Sequence, residues 1–182
     1  MAALVFALTC VARANEPTAF ALAKMGNQYV GNQSKDKVVQ IRSERSVGTL
    51  TPNIWYVVYY DPDATFKAVE VKFGSGQKMD VSHPVRALEM ATDEHTVLDS
   101  DKLRVDSDKA LKIATSLPLL KHLALKASKL TLGHGDEGPV WKVQLWAAKL
   151  KNPKDTADIG VVILSATDGS VIKADLHPNS VD

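Results

Sequence analysis

The sequence repeats itself, and this internal repeat constrains the fold more than any other feature. The segment around Trp55 resembles the segment around Trp141, and each is followed by an apolar stretch, a turn and a His-Pro pair. The matching pairs are Pro52-Asn53-Ile54-Trp55-Tyr56-Val57-Val58 with Pro139-Val140-Trp141-Lys142-Val143, Val69–Phe73 with Val161–Leu164, Gly74-Ser75-Gly76 with Thr167-Asp168-Gly169, and His83-Pro84 with His177-Pro178. A unit that occurs twice predicts two copies of one small fold.

Each copy has the pattern of a helix followed by four strands. Pro17 suits the first turn of a helix, and Asp106-Ser107-Asp108 offers acceptor side chains to the free backbone N–H groups of a second helix. Four closely spaced strands must pair antiparallel, because parallel pairing needs long crossover connections. The predicted strands are Lys37–Ser46, Ile54–Asp61, Thr65–Phe73 and Gln77–Val81 in copy one, and Leu123–Leu132, Val140–Ala148, Ala157–Ser165 and Ser170–Asp175 in copy two.

These patterns predict an α+β protein made of two tandem units, each a helix plus a four-stranded antiparallel sheet. The first repeat spans residues 15–84 and the second spans residues 106–182. A linker over residues 85–105 joins them and contains a short helix over Arg86–Ala91. Joining the two sheets edge to edge would remove two exposed edges, which favours this arrangement over separate packing.

Alternation along the Trp-bearing strands predicts which side chains face the core. The expected inward set is Trp141, Val143 and Leu145 in copy two and, by equivalence, Trp55, Val57 and Tyr59 in copy one. This leaves Tyr56, Tyr60 and Trp146 on the opposite face. Either another layer covers these three aromatics, or they form a protein-binding surface.

The N-terminal residues 1–14 predict a cleavable signal peptide. Ala2–Val11 is an uncharged, apolar run, although no Lys or Arg precedes it, and Ala12-Arg13-Ala14 has the small-x-small pattern of a cleavage site. The run is shorter than the roughly 18 apolar residues that a spanning helix needs. A buried first helix and a lipidated Cys10 are the alternatives. We expect a periplasmic or secreted protein with no membrane span.

Charge and cysteine content narrow the classes of partner and chemistry. The formal net charge is +1, with no run of like charges, so a nucleic-acid partner is not expected. Cleavage after Ala14 would remove Cys10, which is the single cysteine. Thiol catalysis, thiol redox chemistry and disulfides would then be excluded.

No group of polar residues has the spacing of a known catalytic or metal site. The histidines, which lack any spacing that would aim two imidazoles at one ion, are His83, His95, His122, His134 and His177. A calcium loop starting at Asp99 would need Gly and Glu where Arg104 and Ala110 stand. We predict no catalytic residues, no metal site and no cofactor.

The most suggestive segment is Gly133–Gly138, in which His134 lies beside Asp136 and Glu137. Glycines between two predicted strands are also what a long hairpin loop requires, and we interpret the segment as such a loop. An enzyme would require His134 and one of these carboxylates to converge on a pocket with another polar group.

Three features of the second copy are the helix Asp108–Ser116, the strand Val140-Trp141-Lys142-Val143 and the closing hairpin with Ala166-Thr167-Asp168-Gly169-Ser170-Val171. With these features the chain resembles a PepSY-type domain in duplicate, and the hairpin is close to the family's Asp-x-x-Thr-Gly-x-Val turn. The resemblance covers most of residues 106–177 and, more loosely, residues 17–83, where Gly74-Ser75-Gly76 replaces the acidic turn. Tandem α+β units are also found in some secreted enzyme inhibitors, an analogy at the level of the fold alone.

The PepSY resemblance implies a mostly extracytoplasmic protein that binds or restrains a partner, often a secreted peptidase, and it implies no catalytic residues. The leading hypothesis is an exported, non-catalytic protein-binding module in the cell envelope, with peptidase inhibition as one version. The alternative is a small-ligand or metal-responsive periplasmic sensor that uses the Gly133–Gly138 segment or the histidines.

Overall fold

The computed structural model describes residues 16–83 and 94–182. The predicted signal peptide with Cys10, and the predicted helix over Arg86–Ala91, lie outside the described residues. The described chain contains the helices α1 (Ala19–Gly26) and α2 (Ser107–Thr115). Its strands are β1 (Val38–Ser43), β2 (Ile54–Tyr60), β3 (Ala68–Gly74), β4 (Gln77–Ser82), β5 (Leu125–Gly135), β6 (Gly138–Ala148), β7 (Thr156–Ser165) and β8 (Val171–Leu176). In this part of the chain no helix has both the length and the apolar character that crossing a membrane requires.

All eight strands form one antiparallel sheet in the order β4-β3-β2-β1-β5-β6-β7-β8. The predicted α+β fold of two helix-plus-four-stranded units is therefore wrong. β1 and β5, which would be the edges of two separate sheets, pair through Ile41 with Leu132 and Arg42 with Thr131. This pairing satisfies backbone groups that two separate sheets would leave exposed. The described chain is mostly β-structure, with one main core shared by both repeats.

Serine side chains strengthen the seam, the pairing of β1 with β5. The Ser43 hydroxyl oxygen accepts a hydrogen bond from the Leu130 N–H at 2.9 Å. The Ser46 hydroxyl oxygen accepts one from the Ser128 N–H at 2.9 Å, and the Ser46 N–H donates to the Ser128 carbonyl at 2.8 Å. The three serines are buried, so each bond satisfies a backbone group that would be costly to leave unpaired.

Both α-helices pack on one face of the sheet. The Tyr59 hydroxyl donates to the Ala23 carbonyl of α1 at 2.6 Å, and Phe20 of α1 stacks on Trp141 with the ring centroids 6.4 Å apart. The α2 helix packs against β6 and β7. The predicted inward residues, all buried, are Trp55, Val57, Tyr59, Trp141, Val143 and Leu145. We call the other face of the sheet the open face.

The β5–β6 connection is tighter than the sequence predicts. β5 continues to Gly135 and β6 starts at Gly138, so Asp136 and Glu137 alone form the turn, in place of a long loop. Glycine at 138 takes a φ of 144°, a backbone conformation that side-chain-bearing residues rarely adopt. The glycines therefore serve as strand ends around a two-residue turn.

Candidate functional site

The open face carries the three aromatic residues selected from the sequence. Tyr56 and Tyr60 alternate along β2 with the inward-facing Tyr59, and Trp146 alternates along β6 with buried Leu145. All three aromatic side chains are half-buried. The structure spreads them over β2 and β6, with β1 and β5 between them. They therefore belong to one face without forming one contiguous aromatic patch.

A cationic side chain lies over each of these rings. The Arg42 guanidinium carbon is 4.0 Å from the centre of the Tyr56 ring, and the corresponding carbon of Arg45 is 4.5 Å from the Trp146 ring. The Lys37 ammonium lies 5.5 Å from the Tyr60 ring. Such contacts stabilise both partners electrostatically and hold the rings in place. The aromatics are thus partly covered by these cations, and no helix within residues 16–83 and 94–182 forms a layer over them.

Tyr56 stands at the centre of a charged network that sequence reasoning missed. Its hydroxyl donates a hydrogen bond to the Glu44 carboxylate, and this bond lowers the pKa of Glu44 below its ordinary value. The Lys72 ammonium lies 3.3 Å from the same carboxylate. Arg42, which covers the ring, also forms an ion pair with the buried Glu70. Period-two alternation along β1 and β3 places Arg42 and Lys72 on the open face with Tyr56, so their place on this face could have been predicted from the sequence.

The buried Glu70 carboxyl makes the stability of the fold depend on pH. Burial raises the pKa of Glu70 above its ordinary value of 4.5, and the nearby Arg42 guanidinium opposes this shift. A raised folded-state pKa means that the stabilisation from protonated Glu70 is complete below pH 4.5 and is lost as the pH rises through the raised pKa. The Gln side chain of the Glu70→Gln variant stays uncharged at every pH. As the pH rises from 4.5 through the raised pKa of Glu70, the unfolding free energy of the wild type should therefore fall relative to that of the variant.

Urea denaturation of both proteins at a series of pH values measures this difference. If the advantage of Glu70→Gln shrinks as the pH rises, the attraction of Arg42 outweighs the effect of burial, and the pKa of Glu70 is lowered rather than raised.

A row of directly paired residues crosses the open face from edge to edge. From β4 to β8 it consists of Asp80, Lys72, Tyr56, Arg42, Thr131, Lys142, Ile163 and Lys173. Four of these residues are cations and one is an acid. Lys72, Arg42 and Lys173 have carboxylates within ion-pair distance, whereas Lys142 has none among the described residues. The carboxylates of Asp80, Glu44, Glu70 and Asp175 therefore equal the four cations in number, and Lys142 stands out as the cation without an ion-pair partner in the described part of the chain.

The histidines lie apart from one another. His83 and His177, in equivalent His-Pro positions, have their Nε2 atoms 3.8 Å from Asp61 and 3.4 Å from Asp175, respectively. His134 Nε2 lies 2.8 Å from the Thr96 carbonyl oxygen. Within residues 16–83 and 94–182, no three His, Cys, Asp or Glu side chains are grouped so that they could hold a metal ion.

Comparison with known proteins identifies no relative of this chain. The chain matches no protein-family model, no curated protein and no solved structure. The resemblance to PepSY-type domains accordingly rests on the sequence motifs around Trp141 and Asp168, and it stays a prediction.

Proposed function

We propose that this chain is an exported, non-catalytic module that binds a protein partner in the cell envelope through the open face of its sheet. The main support for this proposal is the difference between the two faces of the sheet. The helices cover one face of an eight-stranded sheet, while the other presents Tyr56, Tyr60 and Trp146 at fixed positions among charged side chains. A broad face with ordered aromatics is suited to binding a protein surface.

Neighbouring residues hold the aromatic side chains in place, and this favours binding. Arg45 lies over Trp146 and also hydrogen bonds to the Thr156 hydroxyl, which fixes the pair. Tyr60 packs against a small apolar cluster of Val39, Val58 and Ala68. Side chains that are already immobilised lose little rotamer entropy when a partner binds. The open face is therefore preorganised.

The charges on this face indicate the chemistry of the partner. Two cations of the open face, Lys142 and Arg45, have no carboxylate within ion-pair distance in the described part of the chain, and Arg45 lies over the half-buried Trp146. A partner surface that combines carboxylates with apolar side chains is complementary to this arrangement. The resemblance to PepSY-type domains supports a secreted peptidase as one such partner, which the chain would inhibit or restrain.

Affinity capture from a cell-envelope extract tests the proposal, with residues 15–182 as bait. The informative variant is Tyr60→Ala combined with Trp146→Ala, because it removes an anchor from each half of the sheet. We expect the wild type to retain a partner that the double variant loses. Replacing a central interface aromatic typically costs about 2 kcal/mol or more of binding free energy, about a thirtyfold loss of affinity.

A matched control is Leu119→Ala, since Leu119 is 61% exposed and lies just after α2 rather than on the open face. This variant should retain the partner. The proposal fails if the wild type and the double variant capture the same proteins, or if neither captures any protein above background.

A further inference from the structure

A cavity of about 250 Å³ lies where the two repeats meet, and we call it the seam cavity. Residues of β1, β5 and β6 line it, together with Thr96 from the segment that precedes α2. The lining residues are Val39, Gln40, Thr96, Thr131, Gly133, His134, Val140 and Lys142. Gly133 contributes space, because a methyl group placed on it would have no heavy atom within 4 Å. The volume falls below the range of about 300–1,000 Å³ typical of sites for drug-sized ligands.

The polar groups of the seam cavity are biased towards hydrogen-bond donation. Lys142 supplies an ammonium group, Gln40 a side-chain amide and Thr131 a hydroxyl. Within the described residues, none of these three side chains makes a hydrogen bond or an ion pair. No carboxylate of residues 16–83 or 94–182 lines the cavity. A cation with neutral donors and no competing anion is the chemistry that recognises a carboxylate.

The remaining walls indicate what the carboxylate is attached to. Val39 and Val140 give the cavity apolar sides. His134 Nε2 lies 2.8 Å from the Thr96 carbonyl oxygen, and this contact ties the segment before α2 to the end of β5. A ligand that fits has a charged head near Lys142 and a short aliphatic stem between the valines. Free small acids and the side chain of a glutamate share this shape.

We propose that the seam cavity is a binding site for a carboxylate on a short aliphatic stem. Lys142 forms the ion pair, Gln40 and Thr131 donate hydrogen bonds, and Val39 and Val140 hold the stem. The site uses neither Tyr60 nor Trp146, so it can be tested without the partner of the proposed function.

Titration of the isotopically labelled chain, followed by the amide resonances in NMR spectra, tests this site. The probes are isovalerate and its neutral analogue isovaleramide, and then a glutamate and a glutamine that are blocked at both ends. We expect isovalerate to shift the amide signals of Gly133 and Thr131 in a saturable way. Isovaleramide should bind at least about tenfold more weakly, because it lacks the charge that pairs with Lys142.

Two lysine variants separate the site from general attraction to positive charge. Lys142→Met should weaken isovalerate binding by about tenfold or more. Lys126→Met is the matched control, since Lys126 is an exposed lysine of β5 outside the cavity, and it should bind as the wild type does. The proposal is overturned if neither acid gives saturable shifts, if the amides bind equally well, or if Lys142→Met binds unchanged.

The pair of acids also identifies the source of the carboxylate. Binding of isovalerate without the blocked glutamate assigns the cavity to a free acid. Binding of the blocked glutamate assigns it to a side chain of a protein partner, in which case the cavity extends the proposed interface. If the capture experiment fails while isovalerate still binds, the proposed function is wrong and the carboxylate site stands.

Discussion

Replacing Gly160 by alanine should lower the unfolding free energy by about 3 kcal/mol, through backbone strain and steric overlap together. Gly160 lies in β7 beside a bulge, where the strand places an extra residue, Ile159, opposite β6. Its φ is 111°, which L-residues with side chains rarely adopt. A methyl group here would also collide with the backbone carbonyl oxygen of Asp175 in β8. Neither conflict can be relieved by rotating a side chain.

Thermal and urea denaturation measure the effect, with an expected fall of about 6–12 °C in the melting temperature for a chain of this size. Gly133→Ala is the matched control, because Gly133 is a strand glycine of the same sheet with a negative φ and open space around its Cα. Its stability should be unchanged or raised by up to about 1 kcal/mol. Equal effects at the two positions would show that loss of glycine in general, and not the bulge, destabilises the sheet.

The sequence predicted most local features because alternation and turn chemistry are local. Period-two alternation around Trp141 separates the buried residues from Trp146, and the structure places them on opposite faces. The turn at Ser75 and Gly76 has two positive φ angles, as expected for a tight hairpin. Such features depend on neighbours in the chain, which a single sequence contains.

Edge-to-edge joining was favoured from the sequence, but the edges that pair could not be identified in the same way, because the pairing of β1 with β5 joins residues about 90 positions apart. The hydrogen bonds that support this pairing involve the side chains of Ser43 and Ser46, and serine is a residue type that is common in turns and loops. The cation over each aromatic ring was missed for a related reason. Arg45 and Trp146 are 101 residues apart in sequence and meet only once the seam has formed. The repeat predicts two copies of a unit but not the surface that they build together.

Replacing Asp106 by alanine should destabilise both helices at once and lower the unfolding free energy by about 2–3 kcal/mol. Asp106 Oδ1 accepts hydrogen bonds from the Ser107 N–H of α2 at 2.6 Å and from the Phe20 N–H of α1 at 3.1 Å. The Ser107 hydroxyl oxygen accepts the Ala19 N–H at 3.0 Å. α1 has no acidic residue in its own first turn. One carboxylate from the second repeat therefore caps the start of α1 as well as α2.

The dipoles of α1 and α2 explain why a negative charge at Asp106 stabilises the two helix starts. The first turns of the two helices meet, so the positive ends of two helix dipoles lie close together, and the Asp106 carboxylate offsets both. Asp106→Asn keeps an acceptor but loses the charge, and its stability should fall between that of the wild type and that of Asp106→Ala. The control is Asp108→Ala, an exposed first-turn residue of α2 that should cost about 0.3–1 kcal/mol.

Hydrogen exchange of the backbone amides separates the shared cap from an ordinary one. In Asp106→Ala the Phe20 amide, 86 residues away in sequence, should exchange faster than in the wild type, because its acceptor is gone. In Asp108→Ala the exchange of the Phe20 amide should be unchanged. If Asp106→Ala affects only α2, then each repeat caps its own helix and the two helix starts are independent. If α1 loosens as well, the repeats are joined on the helix side by Asp106 just as they are joined at the seam by Ser43 and Ser46.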